Sequence, residues 1–169
     1  MKNIKVADMT LAFNVNQLSF KEKIEIARHL DNLGVDVIDM PEIKKVTTDT
    51  LLIRTISSFV KNSAISVSTG LDFGDVDIAL STIQNAKKAR IKINIPVSNV
   101  QMEYFCHKKP NKLLEISKQI IEKCTSSNKE VELFAIDATR LDKAFFKSLV
   151  EFSIASGVKT ITLCDDEGI

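Results

Sequence analysis

The sequence predicts an α/β fold of parallel strands joined by helical crossovers, and three observations point to it. Short, β-branched-rich apolar stretches alternate with amphipathic helical stretches along all 169 residues. Several of the strand stretches are apolar at successive positions, as strands buried on both faces of a parallel sheet are. The junctions "HLDNLGVDVID" and "SIASGVKTITL" share one plan of helix, Gly, Val, strand, which reads as a repeated αβ unit.

The first strand stretch is IKVADMTL, residues 4–11. After it, no charged residue occurs between Thr10 and Lys21, although strand ends are where α/β proteins usually keep their chemistry. A helix follows over 20–33, with Ile24, Ala27, Leu30 and Leu33 on one face. Ser19 and Glu22 form an S-x-x-E capping box before it, and Gly34 suits the left-handed position after it. The second strand is 35–40, and Leu51 to Phe59 carries the second helical stripe. Strand 64–70, helix 76–89 and strand 90–98 come next. The fourth helix, 113–124, is opened by Pro110 and Asn111. Strand 130–137 leads to a fifth helix over 141–155, with Thr139 and Asp142 as its capping pair, and strand 158–165 is the sixth. No Pro/Gly/Ser-rich linker interrupts the alternation, so residues 1–169 are expected to form one domain.

Strict alternation implies right-handed crossovers. Two architectures fit: an open doubly wound sheet and part of a (β/α)8 barrel. A complete barrel needs eight units and about 250 residues. A barrel built from this chain would be incomplete, with unpaired edges on its first and last strands. Core side chains such as Leu133, Ile161 and Leu163 would then face solvent. Apolar patches of that kind mark interfaces, so self-association or pairing with a second polypeptide is expected.

Composition removes several function classes. Apolar residues make up 44% and charged residues 27%, with a formal net charge of +1, so no basic field invites nucleic acid. No apolar run reaches the roughly 20 residues of a membrane span, and residues 1–11 lack a signal-peptide core. Cys106, Cys124 and Cys164 lie far apart with no CxxC, which fits a reducing cytoplasm better than a disulfide framework.

In either architecture the reactive face lies at the C-terminal ends of the strands. The strongest cluster there is Asp137, Thr139 and Arg140 with Asp165, Asp166 and Glu167, on consecutive strand ends. An Arg beside carboxylates binds anionic substrates in a two-pronged way. The alternative is a helix cap and a surface ion pair. The segment 70–75 contains Gly but has neither GxGxxG nor GxxxxGK[ST]. His29 falls inside a helix, and His107 sits among lysines as a surface residue. Cys106 has no base to activate it. With two histidines so placed, no metal site is expected within the chain.

The stretches "ADMTL…LSFKEKIEIARHLDNLGVDVID", "IPVSNVQMEY", "VELFAIDATRLD" and "ITLCDDEGI" resemble the homocitrate synthase and isopropylmalate synthase family. That family comprises metal-dependent TIM barrels that condense an acyl-CoA with a 2-oxo acid. The resemblance selects a partial (β/α)8 barrel of about six strands in sequence order. The family's first strand continues as T-L-R-D-G-x-Q, its Arg acting on the enolate and its Asp binding metal. Here Ala12, Phe13 and Asn14 stand in those places, Asp39 replaces a Glu, and Gln101 stands at a usual His. "VSTGLDF" lacks a His found in the family, Ile136 replaces an acidic residue, and the common D-T-x-G has become Asp165, Asp166, Glu167, Gly168. Ser98, Asp137 and Arg140 are kept.

The resemblance therefore implies substrate contacts at Arg140, Thr139, Ser98, Asp165 and Gln101. No cofactor is expected in this chain, and a divalent metal only through a partner chain. The expected role is one subunit of a divided homocitrate synthase, like the omega and alpha gene products of some nitrogen-fixing clostridia. Its substrates would be acetyl-CoA and 2-oxoglutarate. The alternatives are a non-catalytic regulatory partner, a lyase or aldolase-type relative, and a fragment of a longer chain.

Overall fold

The computed structural model describes residues 4–13, 17–166 and 168. Six strands hydrogen-bond in the order β1-β2-β3-β4-β5-β6. The pairings β1–β2, β2–β3 and β5–β6 are parallel. An open doubly wound sheet reverses its order near the middle. Unbroken sequence order is instead the connectivity of a (β/α) barrel, here a partial one.

The strands are β1 (Ala7–Asp8), β2 (Val37–Asp39), β3 (Ala64–Thr69), β4 (Ala89–Pro96), β5 (Glu130–Ile136) and β6 (Thr160–Leu163). The helices are α1 (Thr10–Phe13), α2 (Phe20–Leu33), α3 (Val46–Phe59), α4 (Phe73–Thr82), α5 (Pro110–Thr125) and α6 (Lys143–Ala155). A π-helical turn spans Gln101–Phe105 and a 3-10 turn Ala138–Arg140. The chain divides into two compact units, residues 1–68 with 77–91, and residues 69–76 with 92–169. No helix among the described residues is long and apolar enough to cross a membrane.

In the first unit, α2 begins and ends as its sequence dictates. Ser19 Oγ accepts the Glu22 N–H at 3.3 Å, and Glu22 Oε2 accepts the Ser19 N–H at 2.7 Å. Gly34, at φ 86°, takes the left-handed turn that ends the helix. β1 is much shorter than expected. Asp8 Oδ1 captures the Thr10 N–H at 2.9 Å, and Met9 O accepts from Ala12 and Phe13. These local bonds coil the chain into α1 where an extended strand was expected. α3 starts five residues earlier than its apolar stripe, because Asp49 Oδ2 collects the N–H groups of Lys44 and Lys45 at 2.9 and 2.7 Å.

In the second unit, Asp72 Oδ1 accepts the Gly74 and Asp75 N–H groups at 2.8 and 3.2 Å and starts α4 at Phe73. That helix stops at Thr82, short of residue 89. Asp142 alone caps α6, accepting the Phe145 N–H at 2.8 Å, while Thr139 falls in the 3-10 turn before it. The π-helical turn after β4 carries no apolar period and went unforeseen.

β4 and β5 are not apolar on both faces. Ile91, Ile93 and Ile95 are fully buried on one face of β4, with Arg90 and Lys92 buried between them. β5 alternates Val131, Leu133 and Ala135 with Glu130, Glu132 and Phe134. The charged side chains find partners along the strands. Thr162 Oγ1 donates to Glu132 Oε1 at 2.6 Å, and the Lys92 ammonium lies 5.1 Å from the centre of the Phe134 ring.

The expectation that Leu133 faces solvent is wrong. Leu133 is fully buried, Ile161 is half-buried, and Leu163 is 61% exposed. The reason is position: β5 has a strand on each side, whereas β6 ends the strand order.

Asp31, buried on α2, ties that helix to the approach of β3. Its carboxylate accepts the N–H groups of Lys61, Asn62 and Ser63 at 3.0, 2.8 and 2.8 Å. Burial pushes its pKa up, but those N–H groups outweigh burial and hold it below the ordinary value. Asp31→Ala is expected to destabilise the fold by about 1–3 kcal/mol in urea unfolding. Ser58→Ala, on the exposed side of α3, should stay within about 0.5 kcal/mol of the wild type.

Candidate functional site

The ends of β4, β5 and β6 build one polar cluster. Backbone bonds set the positions first. The Val97 N–H donates to Ile136 O at 3.1 Å, and the Asp142 N–H donates to Val97 O at 2.8 Å. Ser98 pairs with Leu141 in an antiparallel bridge. The segment leaving β4 therefore lies against the segment leaving β5, and Ser98 meets Asp137.

Asp137 sits at φ 58°, ψ 47°, in the left-handed region. That conformation costs an ordinary residue about 1–2 kcal/mol. Asp and Asn visit it more readily than most residues, and here the surroundings hold it in place. Its N–H donates to Asp166 Oδ2 at 2.6 Å, and the next N–H, of Ala138, donates to Cys164 O at 2.8 Å. Its side chain is fully buried. The Ser98 hydroxyl donates to Asp137 Oδ2. Arg140 Nε lies 2.9 and 3.0 Å from the two carboxylate oxygens, and Nη2 lies 2.7 Å from Oδ2.

These contacts set the charge. The Arg140 hydrogen bonds hold the Asp137 pKa below its ordinary value, overcoming the upward push of burial with help from Ser98 and the Arg140 charge. Cys164 shows the reverse. Burial and the neighbouring Asp166 push its thiol up to about 11, so it stays protonated at neutral pH. Burial also raises Cys106, against the lowering effect of Lys108. Neither thiol is an activated nucleophile.

Of the residues expected in the site, Ser98 and Arg140 come together directly. Gln101 joins through its backbone, its N–H donating to Ser98 Oγ at 3.2 Å. Thr139 is exposed on the 3-10 turn. Asp165 is exposed and accepts the Gly168 N–H at 2.8 Å, so Asp166 is the carboxylate that reaches Asp137. Asn14, Asn16 and Glu167 lie outside the described residues. His29 is exposed on α2, and exposed His107, at φ 49°, places Nδ1 3.0 Å from Glu103 O. The buried Lys92 and Glu132 were not singled out in the sequence. The period-two pattern of "RIKINI" and "EVEL" was the signal that marked them.

The resemblance implies a divalent metal at the strand ends, which needs several converging donors. Among the described residues no three His, Cys, Asp or Glu side chains converge as a metal-ligating group. At the resembling ligand position Phe13 presents a ring that is 74% exposed. These residues do not fit a resident metal, and the chemistry of the cluster is that of a fixed guanidinium, a hydroxyl and two carboxylates.

Asp137→Asn is expected to lower stability by about 2 kcal/mol at pH 7, since it weakens charged hydrogen bonds. The folded pKa of Asp137 is depressed, so its contribution is present above the unfolded carboxylate value and fades as pH falls through the folded one. The stability gap between wild type and variant should therefore narrow from about pH 5 downwards, read from urea midpoints at each pH.

A family model described as HMGL-like matches residues 11–169. The chain is 31% identical to 2-isopropylmalate synthase of Halalkalibacterium halodurans, covering 99% of this chain and 33% of that protein. It is 32% identical to 2-isopropylmalate synthase of Caulobacter vibrioides, over 89% of this chain and 29% of the relative. The chain thus spans about a third of the length of these relatives. Among solved structures, HMG-CoA lyase from Brucella melitensis superposes with a TM-score of 0.71 at 12% identity, covering 96% of this chain and 61% of that one.

Proposed function

Because the chain belongs to the HMGL-like family, we propose that it serves a homocitrate synthase-like acyltransferase as one subunit beside a second polypeptide. The reaction would condense acetyl-CoA with 2-oxoglutarate in the cytoplasm. The carrying observation is the Ser98–Asp137–Arg140–Asp166 cluster at the strand ends.

Each residue has a part in this reading. Arg140 offers its guanidinium to a carboxylate of the 2-oxo acid, as planar two-pronged donors do. Asp137 orients that guanidinium, and the Ser98 hydroxyl fixes the Asp137 carboxylate. Asp166 holds the strained Asp137 backbone. Ala12 and Phe13 supply neither charge nor hydrogen bond to a developing enolate. The bond-forming step is therefore assigned to the second polypeptide, as is any divalent metal.

One observation favours a second reading, a non-catalytic partner. The Arg140 fork is already engaged by Asp137. An incoming carboxylate must share the guanidinium, and a purely structural clamp needs no substrate.

Two experiments separate these readings. The isolated chain, given acetyl-CoA, 2-oxoglutarate and magnesium, manganese or zinc, is expected to release no free CoA thiol. Steady release would overturn the subunit reading. Calorimetric titration of 2-oxoglutarate, with and without the candidate second polypeptide, should show binding that Arg140→Ala weakens by about 2 kcal/mol. Absence of heat in both states leaves the non-catalytic reading.

A further inference from the structure

The first unit holds a cleft of about 530 Å³ above β1 and β2, lined by Phe13, Leu18, Phe20 and Leu52 along its apolar part. Phe13 is 74% and Phe20 44% exposed, so two aromatic rings stand open to water beside a concavity. The volume falls within the roughly 300–1,000 Å³ of small-molecule sites, which are apolar with a few placed polar groups.

The charged groups of the cleft do not balance. Its acids are Glu42 and Asp49. Glu42 pairs with Lys44 at 3.3 Å. The Asp49 carboxylate is taken up by the N–H groups of Lys44 and Lys45 and by the Thr48 hydroxyl. Lys23 and Lys45 line the same cleft, and their ammonium groups have no ion-pair partner among the described residues. With three lysines (Lys23, Lys44, Lys45) against two carboxylates (Glu42, Asp49), the cleft presents an apolar wall beside one net positive charge.

We propose that this cleft binds a monocarboxylate with a hydrocarbon tail, the tail against Phe13 and Phe20 and the carboxylate at Lys23 and Lys45. The tail removes the exposed rings from water, and the head group supplies the missing negative charge. 2-Oxoglutarate does not answer this description: it has two carboxylates and only two methylenes between its polar groups. The cleft is thus a site additional to the Arg140 cluster.

The probe is octanoate, with acetate and octan-1-ol as the head-only and tail-only controls. Calorimetry on the intact chain should show octanoate binding about tenfold or more tighter than either control. Lys23→Glu with Lys45→Glu, and separately Phe13→Ser, should each weaken octanoate by about tenfold or more, with unchanged far-UV circular dichroism. Amide shifts in the wild-type NMR spectrum should change around Phe13, Phe20, Lys23 and Lys45. That mapping keeps the test decisive if a variant fails to fold. No octanoate binding, equal binding of either control, or shifts confined to other residues would overturn the proposal.

Discussion

Asp137 carries a buried negative charge at the point where three strands end, and much of the second unit depends on keeping that charge satisfied. A carboxylate without water needs donors on both oxygens. Arg140 and Ser98 supply them from the segments leaving β5 and β4. The Asp137 backbone adopts a left-handed turn so that its N–H reaches Asp166 beyond β6. One residue thus links the exits of β4, β5 and β6. The energetic logic is that of a fully paired buried network, in which loss of one member strands the others.

The first unit solves a similar problem at the opposite side of its strands. Asp31 is buried near the C-terminal end of α2, where a negative charge gains nothing from the helix dipole. It is held by three backbone N–H groups from the segment entering β3. The charge is used to fix where a strand begins, whereas Asp137 fixes where strands end. At the end of β2 a further charge, that of Asp39, is buried. Ala12 and Phe13 leave an apolar cleft there, rimmed by lysines. The strand ends of the first unit therefore carry a buried charge beside a cleft of apolar and charged residues, and those of the second carry the hydrogen-bonded cluster around Asp137.

β4 and β5 show how a strand can be buried on both faces without being apolar on both. Ile91, Ile93 and Ile95 form one face, and Arg90 and Lys92 are buried on the other. Long cationic side chains contribute apolar stems and an aromatic contact to that second face. Lys92 is buried beside the Phe134 ring, and Glu132 accepts the Thr162 hydroxyl.

The sequence by itself determined the alternation of strands and helices and the capping box and left-handed stop of α2. These rest on local rules: hydrophobic period, side-chain caps and glycine at positive φ. Sequential strand order rested on the family resemblance, since the αβ repeat fits a doubly wound sheet equally well. The sequence also marked Asp137 and Arg140, because charged residues at strand ends can be read along the chain, and Ser98 through the family resemblance. Only the tertiary structure decided that Asp166 rather than Asp165 reaches Asp137, that Arg140 spends its fork on Asp137, and that Leu133 is covered while Leu163 is not. Each of those outcomes depends on which strand lies next to which, and on how far one segment rises past its neighbour. Side-chain direction at a strand exit turns on a single backbone angle, such as the left-handed φ of Asp137. That angle is fixed by partners some 30 to 40 residues away in the chain.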